Sequence, residues 1–536
     1  MFLHTIIFII FLLLPFYVDA KSLETNQFGY GGAYNETMNS VEATKDGGYI
    51  AVGSLKSKKI GEVSTGNGNG LIVKYDKENK VEWQQFYGGN GFEEFYDVLV
   101  LEDGYVLVGY TLSTDIEGLE SLGLEDGLVV KLDKSGNILW QKIIGGSGED
   151  YIHAVKELSN GNLVIVGRSD SKDAYGLENQ GALDAFIGIL DREGNLISKK
   201  LYGGLEHDCF YDLEIVNDYI YVGGYANSDL ENHANIGMQD SILIKYDSDL
   251  DLVWEDFYGK TRTDMIRSVI NTVDGGLLVA GITETIDAPS DGAPKGINGY
   301  IAKYSYDGKQ EWVKVYGGSS TDSFEKVVQM QNGDYVVVGK GYSVDIEGLT
   351  NNGDQESFIV VYDSKGNKIW DKMIGGTKLD ILTDVTALDQ KNLIAVGYEY
   401  SKDIENVDNY GGSDGLIVTA KLHYVITKLP TEHGTFNAIE ENEKGKIEIN
   451  PDEGYRLSKI TVKDTSEKIV PFEESEGKYY FELYDDVTVE VLFEEDLVDN
   501  PETSDRVIVM FSLLITCILA VVIASRLFRK HGAKFE

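Results

Sequence analysis

The sequence predicts an all-β protein: a seven-bladed β-propeller over residues 27–422, a small all-β repeat domain over 423–495, and one C-terminal transmembrane helix at 507–525. Three observations carry this prediction. A glycine motif, Gly-Gly in six copies and Gly259-Lys260 in one, stands among short apolar runs seven times at spacings of 55 to 58 residues; a different alternation of period two follows Leu422; and residues 507–525 run without a charge.

Composition sets the outer limits. Of 536 residues, 89 are Asp or Glu and 47 are Lys or Arg, a formal charge of −42. A hydrophobic fraction of 42% builds a real core, which excludes a disordered acidic polymer. A chain this acidic has no basic stripe with which to neutralise phosphates, so nucleic acid is excluded as a partner. Cys209 is the one thiol outside the terminal apolar segments, which excludes a disulfide framework.

At the N-terminus, residues 2–18 are almost wholly apolar, and Val18-Asp19-Ala20 offers a small-x-small pattern. We read residues 1–20 as a signal peptide cleaved after Ala20, against the alternative of a retained anchor.

The repeats follow. Gly31-Gly32 recurs as Gly88-Gly89, Gly145-Gly146, Gly203-Gly204, Gly259, Gly317-Gly318 and Gly375-Gly376. Each copy carries four strand-like runs bounded by Gly, Asn and Asp, as in Asp126 to Asp133, Ile138 to Trp140 and Leu163 to Gly167. Four antiparallel strands per unit of about 57 residues suit a propeller blade, which cannot bury its faces alone. Trp83, Trp140, Trp254, Trp312 and Trp370 hold one place in five copies and read as packing anchors between blades. The turn Asp133 to Trp140, repeated at Asp363 to Trp370, is a turn device. These repeats, through their GG-x-x-x-[DE] start and their Gly-Asn/Asp-x-[YL]-[VI]-x-VG strand, resemble the SBBP-type β-propeller repeats of bacterial surface proteins. That resemblance implies a fold and a surface habit, and no reaction.

Four positions after the second glycine, every copy has an acid: Glu36, Glu93, Asp150, Asp208, Asp264, Asp322 and Asp380. Two readings stand. Each carboxylate accepts backbone N–H bonds where a blade begins, or the seven form a cation ring about the axis, where Ca2+ is the ion that suits oxygen ligands. The second reading predicts that Ca2+ raises the melting temperature. No other cofactor is evident. A further set, Asp115, Asp173, Asp229, Asp287, Asp345 and Asp403, precedes stretches of variable sequence, where an Asx turn accounts for the Asp. If those variable loops share one face, that face is the expected ligand surface.

The case for catalysis is thin. His153, His207 and His233 have no metal-ligand spacing. Arg168, Arg192, Arg262 and Arg267 are too few for an arginine triad, and Cys209, near Tyr202 and Tyr211, reads as a packed thiol. Carboxylate pairs are too abundant to be informative. The catalytic list is therefore empty, and the chain reads as a non-enzyme.

Residues 423–495 carry Gly434-Thr-Phe436, Pro451 to Leu457 and Asp486 to Phe493 in period-two alternation. These pieces resemble the internalin-B-type repeat of Firmicute surface proteins, which implies a stalk. Residues 500–536 then give a pentapeptide, an apolar helix and a basic tail with Arg526, Arg529 and Lys530. The pentapeptide Asn500-Pro501-Glu502-Thr503-Ser504 resembles the Gram-positive cell-wall sorting signal in its NPxTx variant. The resemblance implies a sortase that cleaves after Thr503 and joins the protein to peptidoglycan; the alternative is a plain single-pass membrane protein. The expected protein is a surface-anchored propeller that binds a glycan, matrix or protein ligand. A surface-tethered carbohydrate-active enzyme and a structural envelope component are the alternatives.

Overall fold

The computed structural model describes residues 22–496, apart from short stretches at 57–58, 61–62, 65–67, 175–178, 180, 231–232, 234, 236–237, 260–261, 286–295 and 405–406. The signal peptide with its Ala20 cleavage point, the sorting motif Asn500 to Ser504, the apolar segment 507–525 and Asp287 lie outside the described residues. Among the described residues no helix is long and apolar enough to cross a membrane.

Two compact units divide the chain, one over residues 21–423 and the other from Tyr424 onward. The first is a β-propeller. Seven four-stranded antiparallel sheets are described in it, and all but the last take their strands in chain order. The first sheet consists of Glu36–Ala43, Tyr49–Leu55, Asn69–Tyr75 and Val81–Tyr87; the second of Glu93–Val100, Gly104–Thr111, Asp126–Asp133 and Ile138–Ile144. The last sheet contains Asp380–Ala387, Asn392–Glu399 and Asp414–His423, and its outer strand is the N-terminal Ser22–Tyr30. The chain's first strand thus completes its last sheet. A bond from Val41 N to Asp384 Oδ2 (2.8 Å) and another from Thr383 Oγ1 to the Met38 carbonyl (2.9 Å) tie the first sheet to the last.

The hydrophobic core lies between successive sheets, not within one. Tyr49, Leu71 and Val73 of the first sheet pack on Ile394, Val396 and Ile417 of the last, and the same arrangement recurs around the unit, as with Ile165 and Val108. Central strands are therefore buried on both faces, which accounts for unbroken runs such as Val164-Ile165-Val166 where a one-sided sheet would alternate. The tryptophans join the sheets farther out. Four of the five lie under the tight turn of the following sheet, where a glycine at positive φ makes room: Gly136 over Trp83, Gly194 over Trp140, Gly308 over Trp254, Gly366 over Trp312. Trp140 Nε1 also donates to the Arg192 carbonyl at 3.1 Å.

Every first strand carries a β-bulge at the same place, between Met38 and Ser40 in the first sheet and between Phe95 and Asp97 in the second. The bulged residues are Asn39, Tyr96, His153, Tyr211, Arg267, Glu325 and Thr383. A bulge re-aims side chains, here toward the following sheet and the axis. Asn39 Nδ2 reaches the Phe95 carbonyl at 2.9 Å, and His153 Nδ1 lies 2.8 Å from the Phe210 carbonyl.

In the second unit, Ile426–Lys428 runs parallel to Val487–Glu495, which pairs in turn with Tyr455–Asp464. A separate sheet holds Gly434–Glu441, Lys444–Pro451, Lys478–Glu482 and Phe472–Ser475. Its core is small: Ile447, Val462, Phe481, Val489 and Val491 are buried, and Gly445 leaves room for the Phe481 ring.

Candidate functional site

Strand direction decides which loops meet. In each sheet the chain runs down, up, down and up, so the five-residue links into the first strand and the loops between second and third strands share one end. Those second-to-third loops are 10 to 14 residues long, whereas the turns at the opposite end have two to five residues. The described parts of the variable stretches therefore lie on one face.

The acids that recur in every repeat frame that face from below. All seven are buried, each at the start of its own first strand. The backbone N–H of the second glycine donates to the carboxylate: Gly32 to Glu36 (2.7 Å), Gly146 to Asp150 (2.8 Å), Gly318 to Asp322 (2.7 Å) and Gly376 to Asp380 (2.8 Å). A hydroxyl from the long loop adds a second bond, as from Ser171 to Asp150 (2.7 Å), Ser228 to Asp208 (2.6 Å) and Ser401 to Asp380 (2.7 Å). Glu93 takes its bonds from Thr111 and Ser113, and Asp264 takes one from Thr283 at 2.6 Å. Each carboxylate is thus engaged at its own junction, and among the described residues no three His, Cys, Asp or Glu side chains are grouped to hold a metal ion.

A second buried polar column, which the repeat pattern did not single out, faces the first: Asn69, Asp126, Asp184, Asp240, Asn298, Glu356 and Asp414, near the starts of the third strands. The first glycine of a pair is wedged between the two columns. A Cβ at Gly203 would meet both Asp208 and Asp184, and one at Gly375 both Asp380 and Glu356. Burial pushes Asp414 up to about 6 and Glu399, beside Asp380 and Asp414, up to about 7.

The Asp set after the second strands braces the loops. Asp115 accepts from Asn90 N (2.7 Å), Asp173 from Ser147 N (2.7 Å), Asp345 from Ser319 N (2.8 Å) and Asp403 from Thr377 N (3.0 Å). These bonds cross from one loop to another, where a local Asx turn was expected; Asp229 makes its bond within its own loop, to Asn235 N.

The residues that vary between sheets lie at the axis. Just inside the loop face, the second residue of each first strand stands opposite a residue of the second strand: Glu94 and Tyr110, Tyr151 and Arg168, Cys209 and Tyr225, Ser323 and Lys340, Ile381 and Tyr398. Tyr151 and Arg168 join the bulged His153, Tyr211 and Arg267 in a continuous stack. The Arg168 guanidinium lies 4.4 Å from the Tyr151 ring, Tyr151 stacks toward His153 (6.5 Å), His153 on Tyr211 (5.3 Å), and Arg267 covers Tyr211 at 4.1 Å. Tyr96 and Tyr110 flank it, each within 6 Å of a stack member. Burial pushes His153 down to about 3 and the Cys209 thiol up to about 12, so both are neutral near pH 7.

Below the stack a charged tier fills the axis. Lys326 Nζ crosses to Asp212 Oδ2 at 3.1 Å, between sheets that are not neighbours, with Asp97 and Asp384 close by. These three aspartates also accept backbone N–H bonds from the next sheet: Asp97 from Val155 (3.0 Å), Asp212 from Val269 (2.9 Å) and Asp384 from Val41 (2.8 Å). Deeper still, Lys156 interacts with Glu42 and Glu214.

No family model matches the chain. The regulatory protein FlaEY of Caulobacter vibrioides is 23% identical over 407 residues, covering 71% of this chain and 41% of that protein, so the chain spans less than half the length of this relative. Among solved structures, Sqt1 from Chaetomium thermophilum is 8% identical, with a TM-score of 0.37 over 74% of this chain and 99% of that one. Drosophila Plexin A, solved in complex with Semaphorin 1b, is 10% identical, with a TM-score of 0.38 over 75% of this chain and 88% of that one. BBS1N, in complex with ARL6DN, is 9% identical, with a TM-score of 0.38 over 72% and 93% respectively.

Proposed function

We propose that the chain is an exported, surface-anchored binding module: a seven-bladed propeller whose long-loop face takes up a ligand at the axis. The observation that supports this best is the contrast within one ring. The junctions repeat from sheet to sheet, while the combination of axial residues at the loop face changes from sheet to sheet and gathers tyrosines, arginines and a lysine. A regular scaffold with one irregular polar site is how binding is usually carried on a rigid frame. The site acts by binding and not by turnover. His153 is held neutral against a carbonyl, and Glu325 is paired with Lys340 at 3.2 Å.

In this reading residues 1–20 direct export, the unit from Tyr424 serves as a spacer, and a sortase joins Thr503 to peptidoglycan in a Gram-positive wall. Mass spectrometry of the C-terminal peptide, released from purified wall, tests the anchoring: a peptide ending at Thr503 with a wall fragment supports it, and one running through Glu536 from membranes refutes it. Binding is tested by probing glycan and matrix-protein arrays with the full chain and with a variant in which loop residues 116–123 are replaced by Gly-Ser. Capture that the loop variant loses supports the face assignment; equal capture by both overturns it.

A further inference from the structure

Arginine is rare in this acidic chain, and two of the four in the repeat region, Arg168 and Arg267, cap the two ends of a single aromatic stack. Their positions are costly. The Nε atoms of both are buried without a hydrogen-bond partner. Among the described residues Arg168 forms no ion pair, although the chain has 89 carboxylates to offer. Arg267 has a carboxylate only at 4.0 Å, from Glu325, which Lys340 holds more closely at 3.2 Å. A half-buried guanidinium without a hydrogen-bonded carboxylate loses solvation that its ring contact restores only in part, unless an anion arrives.

The two cations act on the same group of side chains. His153, Cys209, Tyr211 and Tyr225 each feel both guanidiniums. The positive groups Arg168, Arg267 and Lys340 face three carboxylates, Glu94, Glu125 and Glu325; Glu94 is already engaged by Asn39 and Tyr110, and Glu325 by Lys340. Two guanidiniums with an unsatisfied Nε inside an envelope of −42 select against long polyanions, which the rim repels, and for a single carboxylate on an otherwise neutral body.

The rest of the lining indicates that body. Asn39, Thr37, Ser54, Ser323 and Thr383 each hold a bond within the protein, and with the tyrosine hydroxyls their remaining donor and acceptor capacity suits a polyhydroxylated ligand. A peptide would want a free sheet edge or an apolar groove. The first strands line the axis with side chains, and the ring is closed by Ser22–Tyr30.

We infer that Arg168 and Arg267 form the carboxylate-binding subsite of an acidic saccharide, seated on the tyrosine–histidine stack at the axis. This rests on the binding-module reading above and names its ligand class.

Titration calorimetry of the full chain with sodium D-glucuronate, D-glucose, acetate and a short neutral peptide with a free C-terminus tests it. Glucuronate binds at least tenfold more tightly than glucose, acetate or the peptide. Arg168→Gln and Arg267→Gln each weaken glucuronate at least tenfold, because a charge-assisted bidentate contact is lost. Arg168→Lys, which keeps the charge without the fork, recovers part of that loss. Circular dichroism and the melting temperature confirm that the variants fold; should either glutamine variant fail to fold, Lys340→Gln at the rim replaces it, with a smaller loss expected. Glucuronate binding no better than glucose, or unchanged in folded variants, overturns the carboxylate subsite. A preference for the peptide overturns the saccharide assignment. Array capture that is lost in the loop variant but kept in Arg168→Gln sinks this inference alone and leaves the binding module standing.

Discussion

Lys326 is the residue on which the axis depends most. Its ammonium stands among Asp97, Asp212 and Asp384, three aspartates from three different sheets. Removing one partner of a buried ion pair strands the others, so Lys326→Met should cost about 3 kcal/mol in urea unfolding. A loss below about 1 kcal/mol would mean that the aspartates are satisfied by their backbone N–H bonds alone. A second pair of substitutions separates backbone strain from packing. Gly366 and Gly348 both have φ near +80°, but a Cβ at Gly366 would come within 2.8 Å of the Trp312 ring, whereas one at Gly348 meets nothing within 4 Å. Gly348→Ala should therefore cost about 1 kcal/mol from strain. Gly366→Ala should cost about 2 kcal/mol, the excess reporting the contact between sheets. Equal losses would show that the tryptophan gives way freely.

The element whose removal tells most is the N-terminal strand. Ser22–Tyr30 pairs along its whole length with Asp414–His423, and a cut after Ala20 would leave it intact. A chain that begins at Gly31 leaves Asp414–His423 as an unpaired edge, which invites association. Hydrogen exchange should then lose protection across 414–423 while the third and fourth sheets keep theirs; unchanged protection at 414–423 would show that the strand is dispensable. The elements were legible in the sequence because they repeat. The tryptophans, the acids at Glu36 to Asp380 and the Asp133-type turns each recur at a fixed offset, since every junction solves the same packing problem. The axial site was not legible for the opposite reason. It is built from positions that differ between copies, and a search for recurrence discards them. Arg168 and Arg267 were read only as too few, because their approach depends on bulges that no local pattern marks. One signal was available: three positions after each repeated acid, inside an apolar strand, stand Asn39, Tyr96, His153, Tyr211, Arg267, Glu325 and Thr383, a column that is polar or aromatic in every copy.

At the scale of the whole molecule, buried acids should set the pH dependence of stability. Burial raises Glu42 and Glu399 to about 7, and Asp384 and Asp414 to about 6, each above its ordinary value near 4. Between about pH 4 and 7 the folded chain holds protons on these groups that the unfolded chain has released. Stability therefore falls as pH rises through that window. His153 works the other way. Pushed down to about 3, it refuses a proton that the unfolded chain accepts below about pH 6.5, so acidification costs it stability. Asp46, held down to about 2 by Thr44, Gly48 and Lys74 against a partial burial that acts upward, makes its contribution above pH 4 and leaves this window untouched. Four acids outweigh one histidine, and relief of repulsion among 89 carboxylates acts in the same direction. The melting temperature should be higher at pH 5.5 than at pH 7.5. Glu42→Gln, which keeps the shape and removes the titration, should flatten the slope of unfolding free energy by up to about 1.4 kcal/mol per pH unit near pH 6, the value for one proton. A melting temperature that rises from pH 5.5 to 7.5 would mean that the axial and junction acids are ionised in the folded protein, and that Lys156 and Lys326 compensate them fully.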